Sequence, residues 1–425
     1  MRRLQRAAVD AMQARHRGEA LVKLLGAILA LAAAVQPAAP PPDRTSHDLI
    51  AEQRLPISQS AVGFSGAGWD RLIADGAAAQ FFMMGEQHAA ADIILFGAAV
   101  HSELARRGYT HAALEVGPYS TDFAEALIRS GRGRLADYIR RPGHSFTLPF
   151  LFFQEEVDLV ERIVAASPDR EHALWGVDQE FVGSGPIALE LLRGWASSPA
   201  EREAVDRFAR RVATEPMLIA QMSAAELDQL AAAFAGNAEA RGLVEALRLS
   251  NEIYAPYFHR TGPTYPSNLR RENLMKLNFL RHFTEAERRL GGPPRVFLKF
   301  GGYHAMRGFT GTNVPGFANF LAEWGLSRGF GLVNMMVDCD GGQALNPQTN
   351  EAAPCQPYFG PDTVIGSMPR TERLTLIDLR ALRAQLPRMR DLDPLTRQTI
   401  LAFDYYLVIK DVRAATPVAA LPSRQ

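Results

Sequence analysis

The chain has 425 residues, enough for one large domain or two ordinary ones around a sizeable core. Its 46 basic residues balance 46 acidic ones, and 47% of residues are apolar against 22% charged, the proportions of a soluble globular protein. With zero net charge and no long run of one sign, it lacks the electrostatic footprint of a nucleic-acid or anionic-membrane binder.

At the start, Arg2, Arg3, Arg6, Arg15, Arg17 and Lys23 precede an apolar run over 24–35 containing Ala32-Ala33-Ala34, and Pro37, Pro40, Pro41 and Pro42 follow. This basic, apolar, small-residue order is that of a secretory signal peptide; the plainer alternative is a disordered leader. The long basic region leaves Met12 as an alternative start. The run is short for a permanent anchor, so no stable membrane insertion is expected after signal removal. A periplasmic or secreted location follows. No Cys lies near Ala34, so a lipid anchor is not indicated.

Residues 43–80 are polar and mixed, and are expected to form a connecting arm. Strand and helix patterns then alternate: strands at 81–86, 111–116 and 171–178, with helices at 91–107, 119–130 and 150–166. The character changes at Gly183-Ser184-Gly185-Pro186. From 187 to 290 strand signal is almost absent, and Ala, Leu, Glu and Arg recur at helical spacing. The alternation resumes with strands at 295–300 and 330–338, a helix over 317–324, and further strands at 374–378 and 405–409. The fold class is therefore α/β: a mainly parallel sheet flanked by helices, with a helical insertion covering the crevice. Four parts follow: a signal and Pro-rich linker (1–42), a first core part (43–186), the cap (187–290) and a second core part (291–425).

In a parallel sheet, residues just beyond strand C-termini converge on one crevice. Gly85-Glu86-Gln87-His88 follows the first strand, Glu115 ends the second, and Asp178 follows Gly176-Val177 after the third. Lys299 to Gly308, reading KFGGYHAMRG, contains His304 and Arg307. Two histidines and three carboxylates meeting from four strands make a candidate site for acid-base or metal chemistry. Each has a plainer reading: Glu115 as half of a buried pair, Asp178 as a turn or N-cap residue, Lys299 as either a partner of an inward acid such as Glu115 or an outward side chain. His101, His111, His144, His172, His259 and His282 lack companions and are expected at the surface or at caps. There is no Gly-x-Ser-x-Gly elbow, no dinucleotide fingerprint after the first strand, no Walker A sequence and no His-Glu-x-x-His. Cys339 and Cys355, the only cysteines, suggest a disulfide in an exported protein; two free thiols are the alternative if export fails.

With these residues in view, 80–340 resembles the erythromycin-esterase-like superfamily, which also contains the ChaN-like haem-uptake proteins and the TIKI/TraB proteins. The likeness rests on Gly85-Glu86-x-His88, on Gly108-Tyr109-x-His111-x-Ala113-Leu114-Glu115, on Gly176-Val177-Asp178, on the KFGGYHAMRG passage, and on Arg271-Glu272-Asn273-Leu274-Met275 with Asn278. It implies His88 as general base on water, Glu86 and Glu115 as orienting acids, His304 as partner, and no cofactor. Two features depart from the esterases: one residue, not two, separates Glu86 from His88, and Gly97 stands where they carry an arginine.

The leading expectation is a hydrolase of an ester, lactone or similar carbonyl bond in a small-molecule substrate, with His304 or Arg307 stabilising the oxyanion and Arg271, Asp178 and Lys299 binding substrate. Two alternatives stand beside it. One is a TIKI-like hydrolase holding a divalent metal through His88, His304 and Glu115. The other is a ChaN-like protein binding haem, with Tyr303 as axial candidate. The aromatic stretch around Tyr254, Tyr257, Phe258 and Tyr265 is expected to line the cleft, or else to anchor the cap. Arg270 or Arg271 is expected to face Glu86 or Glu115.

Overall fold

A computed structural model describes residues 44–167, 171–260, 262–346, 349 and 351–420. The predicted leader and Pro-rich linker lie outside the described residues. The centre is a sheet of ten strands: β1 (Arg54–Ser60), β2 (Gly63–Ser65), β3 (Phe81–Glu86), β4 (Tyr109–Leu114), β5 (Leu174–Gly176), β6 (Arg295–Gly301), β7 (Leu332–Asn346), β8 (Glu351–Pro354), β9 (Leu374–Asp378) and β10 (Tyr405–Val412). Their order is β2-β1-β9-β10-β7-β3-β6-β4-β5, with β8 paired to β7. From β10 through β5 every pairing is parallel; β1, β2, β8 and β9 pair antiparallel.

The parallel strands are apolar on both faces because both faces are covered. Phe82 and Met84 of β3 enter one core with Phe297, Ala112 and Leu407, while Phe81 and Met83 enter a second with Leu298, Ala113 and Tyr406. Alternation across the pleat thus divides a continuous hydrophobic run between two helical layers.

Residues 43–80 are not a connecting arm. They contain a capped helix (Ser46–Ala51), strands β1 and β2, and a helix (Ala67–Ala78) whose Leu72 and Ile73 are buried. These strands sit at the sheet edge, where the β1 sequence RLPISQS stays largely exposed and gives little apolar period. The predicted helix at 150–166 starts later, at Gln154, because Phe150 adopts a positive φ of 62°.

Six helices and no strand occupy 185–290 among the described residues. They divide by what they cover. Leu192, Phe208, Leu230, Leu243 and Leu247 form a separate core, whereas Met275, Phe279 and Phe283 of the helix Tyr265–Leu290 pack against the sheet. That last helix also runs back toward β6. No helix among the described residues is long and apolar enough to cross a membrane.

Cys339 on β7 and Cys355 after β8 form a disulfide that closes a 16-residue separation. In the chain-entropy account such a loop contributes about 3 kcal/mol. Replacing both cysteines by serine should therefore lower the urea midpoint and raise the m-value somewhat, as the unfolded chain expands, and dithiothreitol should do the same to the wild-type protein. Superimposable unfolding curves would mean the bridge does not stabilise the fold.

Candidate active site

Strand register sets the site. Glu86 pairs with Gly301 across β3 and β6, and Leu114 pairs with Lys299 across β4 and β6. Glu86, Glu115 and Gly301 therefore reach the same sheet edge, and Asp178 arrives two residues beyond β5. After Glu86 the chain turns through Ala89 at φ 66°, a strained conformation for a residue with a side chain. The Ala89 carbonyl accepts from Leu345 and Ala415, which hold the turn.

His88 lies on this turn. Its Nδ1 is 3.0 Å from Glu86 Oε1, and its ring stacks on Phe150 at a centroid distance of 4.3 Å. His88 lines the cavity, and its Nε2 lies 4.0 Å from Glu115 Oε2. Glycine is required opposite: a Cβ on Gly301 would lie 2.7 Å from His88 Nε2. Lys299 Nζ donates to the same Glu86 oxygen at 2.7 Å and also to Glu156. Burial works to raise the Glu86 pKa, but the Lys299 charge and the His88 hydrogen bond overcome it and leave it lowered. An ionised Glu86 accepts the Nδ1 proton, which makes Nε2 the accepting nitrogen.

Glu115 is the hub. It accepts from the Gly301 amide at 2.7 Å and from Arg271 Nη2 at 2.8 Å, and lies 3.3 Å from His304 Nε2. Arg271 also ion-pairs with Asp178, and His304 Nδ1 is 2.6 Å from Glu272. Burial alone would raise the Glu115 carboxyl; the charges of His304 and Arg271 hold it well below the usual range. Burial alone would lower the His304 pKa, yet Glu115 and Glu272 push it up to about 10. His304 is thus an imidazolium at neutral pH, with each N–H committed to a carboxylate.

The cavity above these groups has a volume of about 370 Å³. Glu86, His88, Glu115, Arg271 and His304 form its charged base; Tyr303, Met306, Met336, Tyr358 and Phe403 form a largely apolar wall. Tyr358 lies three residues beyond Cys355 of the disulfide, its amide donating to Asp338 at 2.9 Å.

Several sequence expectations need correction. Arg307 does not line the cavity: its guanidinium holds Asp404 through two 2.7 Å hydrogen bonds, since that buried acid needs a cation. Lys299 pairs with Glu86 and Glu156, not Glu115. Of the aromatic stretch, Tyr257 and Tyr265 are about half exposed and none lines the cavity, while half-buried Tyr254 lies close to the Asp178 and Arg271 charges. Thr261 of that stretch lies outside the described residues. Arg270 pairs with exposed Glu252; Arg271 is the one that meets Glu115. His101 and His111 are core residues, packed on Phe297 and Trp175. The trio His88, His304 and Glu115 is not arranged to hold a metal ion. No group of three or more His, Cys, Asp or Glu side chains suited to a metal occurs among the described residues.

Three residues escaped sequence reasoning. Glu272 follows Arg271 and faces the same way into the site. Phe150 carries the ring under His88. Glu156 had a readable signal: it lies at i, i+4, i+7 spacing with buried Val160 and Ile163, a carboxylate inside an apolar stripe.

No protein-family model and no curated relative matches the sequence. Solved structures do. A mutant of erythromycin esterase EreC in its open conformation aligns over 83% of this chain and 95% of its own, with a TM-score of 0.55. The fold is shared with erythromycin esterase. A protein described as functioning in succinoglycan biosynthesis aligns over 82% of this chain and 91% of its own at 0.53. One from Bacillus cereus aligns over 83% and 92% at 0.52. Identity is 14% in all three, so the likeness establishes the α/β fold and nothing finer.

His304 gives a stability test. Its folded value near 10 lies above the ordinary 6.5 or so, so the folded protein holds this proton more tightly than the unfolded chain does. The stability it contributes is complete below about pH 6.5 and is lost as pH rises through about 10. Melting temperature should fall more steeply between about pH 8 and 10 in the wild-type protein than in His304→Gln. Parallel curves would remove the charged state assigned to His304.

Proposed function

We propose that this protein is an exported hydrolase of ester or lactone-type carbonyl bonds in small molecules, with His88 as general base. The observation that carries the reading is the contrast between the two histidines. His304 has both nitrogens bound, whereas His88 lines the cavity with Nδ1 held by Glu86 and Nε2 still 4.0 Å from Glu115. A base needs one free nitrogen and a partner that stabilises the charge it acquires.

In the first step His88 Nε2 takes a proton from water as the water oxygen bonds to the carbonyl carbon. The carbonyl π electrons move to oxygen, giving a tetrahedral oxyanion. The charges of Arg271 and the His304 imidazolium at the cavity base offset the developing negative charge electrostatically. Collapse re-forms the carbonyl and breaks the bond to the leaving oxygen, which receives the proton from His88. Asp178 acts by holding Arg271, and Lys299 by holding Glu86. The apolar wall favours a substrate whose ester is attached to an alkyl or aryl body. Export rests on the disulfide, which persists in oxidising compartments, and on the leader pattern of the sequence.

His88→Ala should lower kcat on a panel of aryl and alkyl esters by about 10²–10⁴-fold with little change in KM, the range expected for a general base. Unchanged turnover would end the hydrolytic reading. Gly301→Ala is a subtler probe: its methyl would meet Nε2 at 2.7 Å and displace the ring. Here kcat should drop while the melting temperature holds.

A further inference from the structure

Beside His88 the fold buries a charged cluster of which the hydrolytic steps use Glu86 and Lys299 but leave Glu156 without a task. Glu86, Glu156 and Lys299 are all almost fully buried, and Lys299 Nζ bridges the two carboxylates. Glu156 comes from the helix Gln154–Ala166 and lines a small cavity that shares Glu86, His88 and Glu115 with the larger one. A single carboxylate would have matched Lys299. A second, placed in low dielectric, carries a desolvation penalty that a purely structural pair would not incur.

We propose that Glu156 is a positioning residue for His88: by sharing Lys299 it keeps Glu86 a strong hydrogen-bond acceptor, which fixes the His88 tautomer and stabilises the imidazolium formed in catalysis. This rests on the hydrolytic reading of the site.

The charge count gives the reason. With Glu86 and Glu156 ionised and Lys299 protonated, the cluster carries one net negative charge. Protonation of His88 brings the four groups to neutrality. Were Glu156 absent, Lys299 would neutralise Glu86 fully, and the acid would hold the Nδ1 proton less strongly. The charged groups facing the cluster are Glu86 and His88 from β3 and the turn beyond it, Lys299 from β6, and Glu115 from the end of β4. Glu115 is itself balanced by Arg271 and His304. Glu156 is therefore the acid whose charge is least matched. Burial, partly offset by Lys299, pushes it up to about 7, so its charge can change within the working pH range.

The test is Glu156→Gln, which keeps shape and removes charge, with ¹⁵N-histidine labelling of the full protein. Folded Glu156→Gln should show less of the Nδ1–H tautomer at His88, an acid limb of kcat/KM moved to lower pH, and kcat reduced by about tenfold at constant KM, the scale of an outer histidine partner. A merely structural role would move none of these in a folded variant, and His88 signals identical to wild type would overturn the proposal. Should the variant not fold, the wild-type protein supplies the same information. Its His88 ¹⁵N shifts should follow the titration of the Glu156 carboxyl seen by ¹³C, and their indifference to it would equally overturn the proposal. Coupled His88 and Glu156 signals in a protein that hydrolyses no ester would leave the positioning role standing and remove the hydrolytic one.

Discussion

One buried carboxylate organises this molecule. Glu115 emerges at the end of β4 with little access to solvent and meets a backbone amide, a guanidinium and an imidazolium. Removing any one partner would leave a buried charge under-compensated, a loss of about 3–5 kcal/mol by analogy with broken buried pairs. The partners come from distant parts of the chain: Gly301 from β6, His304 from the turn after it, and Arg271 from the preceding helix. The site therefore assembles only when the sheet, the loop and the helix are all in place.

This dependence explains the topology. The chain lays down β3, β4 and β5, leaves for the helical stretch, and returns to insert β6 between β3 and β4. The helix Tyr265–Leu290 makes that return. Its apolar face packs Met275, Phe279 and Phe283 on the sheet, while its start delivers Arg271 and Glu272 and its middle anchors Asn278 on the Val177 carbonyl at 2.9 Å. The helical stretch serves the site through this final arm, whereas the helices before it mainly bury one another's apolar faces.

How much of this was legible in the sequence depended on what each signal encodes. Continuous apolar runs fix buried parallel strands, so β3, β4, β6 and β10 were readable, and the acids and histidines at their ends came with them. Edge strands are half-exposed and carry no such run, so β1 was lost in a polar segment. Direction was harder than position. Arg307 is only three residues beyond His304, but the intervening turn sends it to Asp404, almost a hundred residues later in the chain. Glu156 stands inside an apolar helix stripe, but its partner Lys299 is a strand residue that sequence spacing cannot bring to it.

The two histidines illustrate how environment, and not residue type, assigns chemistry. Both stand beside carboxylates after a parallel strand, and residue type and spacing give no reason to separate them; only the family resemblance does. His304 is enclosed by two acids and is a cation at neutral pH, fit to balance charge but not to accept a proton there. His88 has one acid on Nδ1, an aromatic ring beneath it and a glycine opposite Nε2. Each ring has a carboxylate of its own on Nδ1, Glu86 or Glu272; the difference lies in Glu115, 3.3 Å from His304 Nε2 but 4.0 Å from His88 Nε2. A fixed cation beside a ring with one open nitrogen is the pairing that splits electrostatic stabilisation from proton transfer, and the sheet edge holds the two a short distance apart on either side of Glu115.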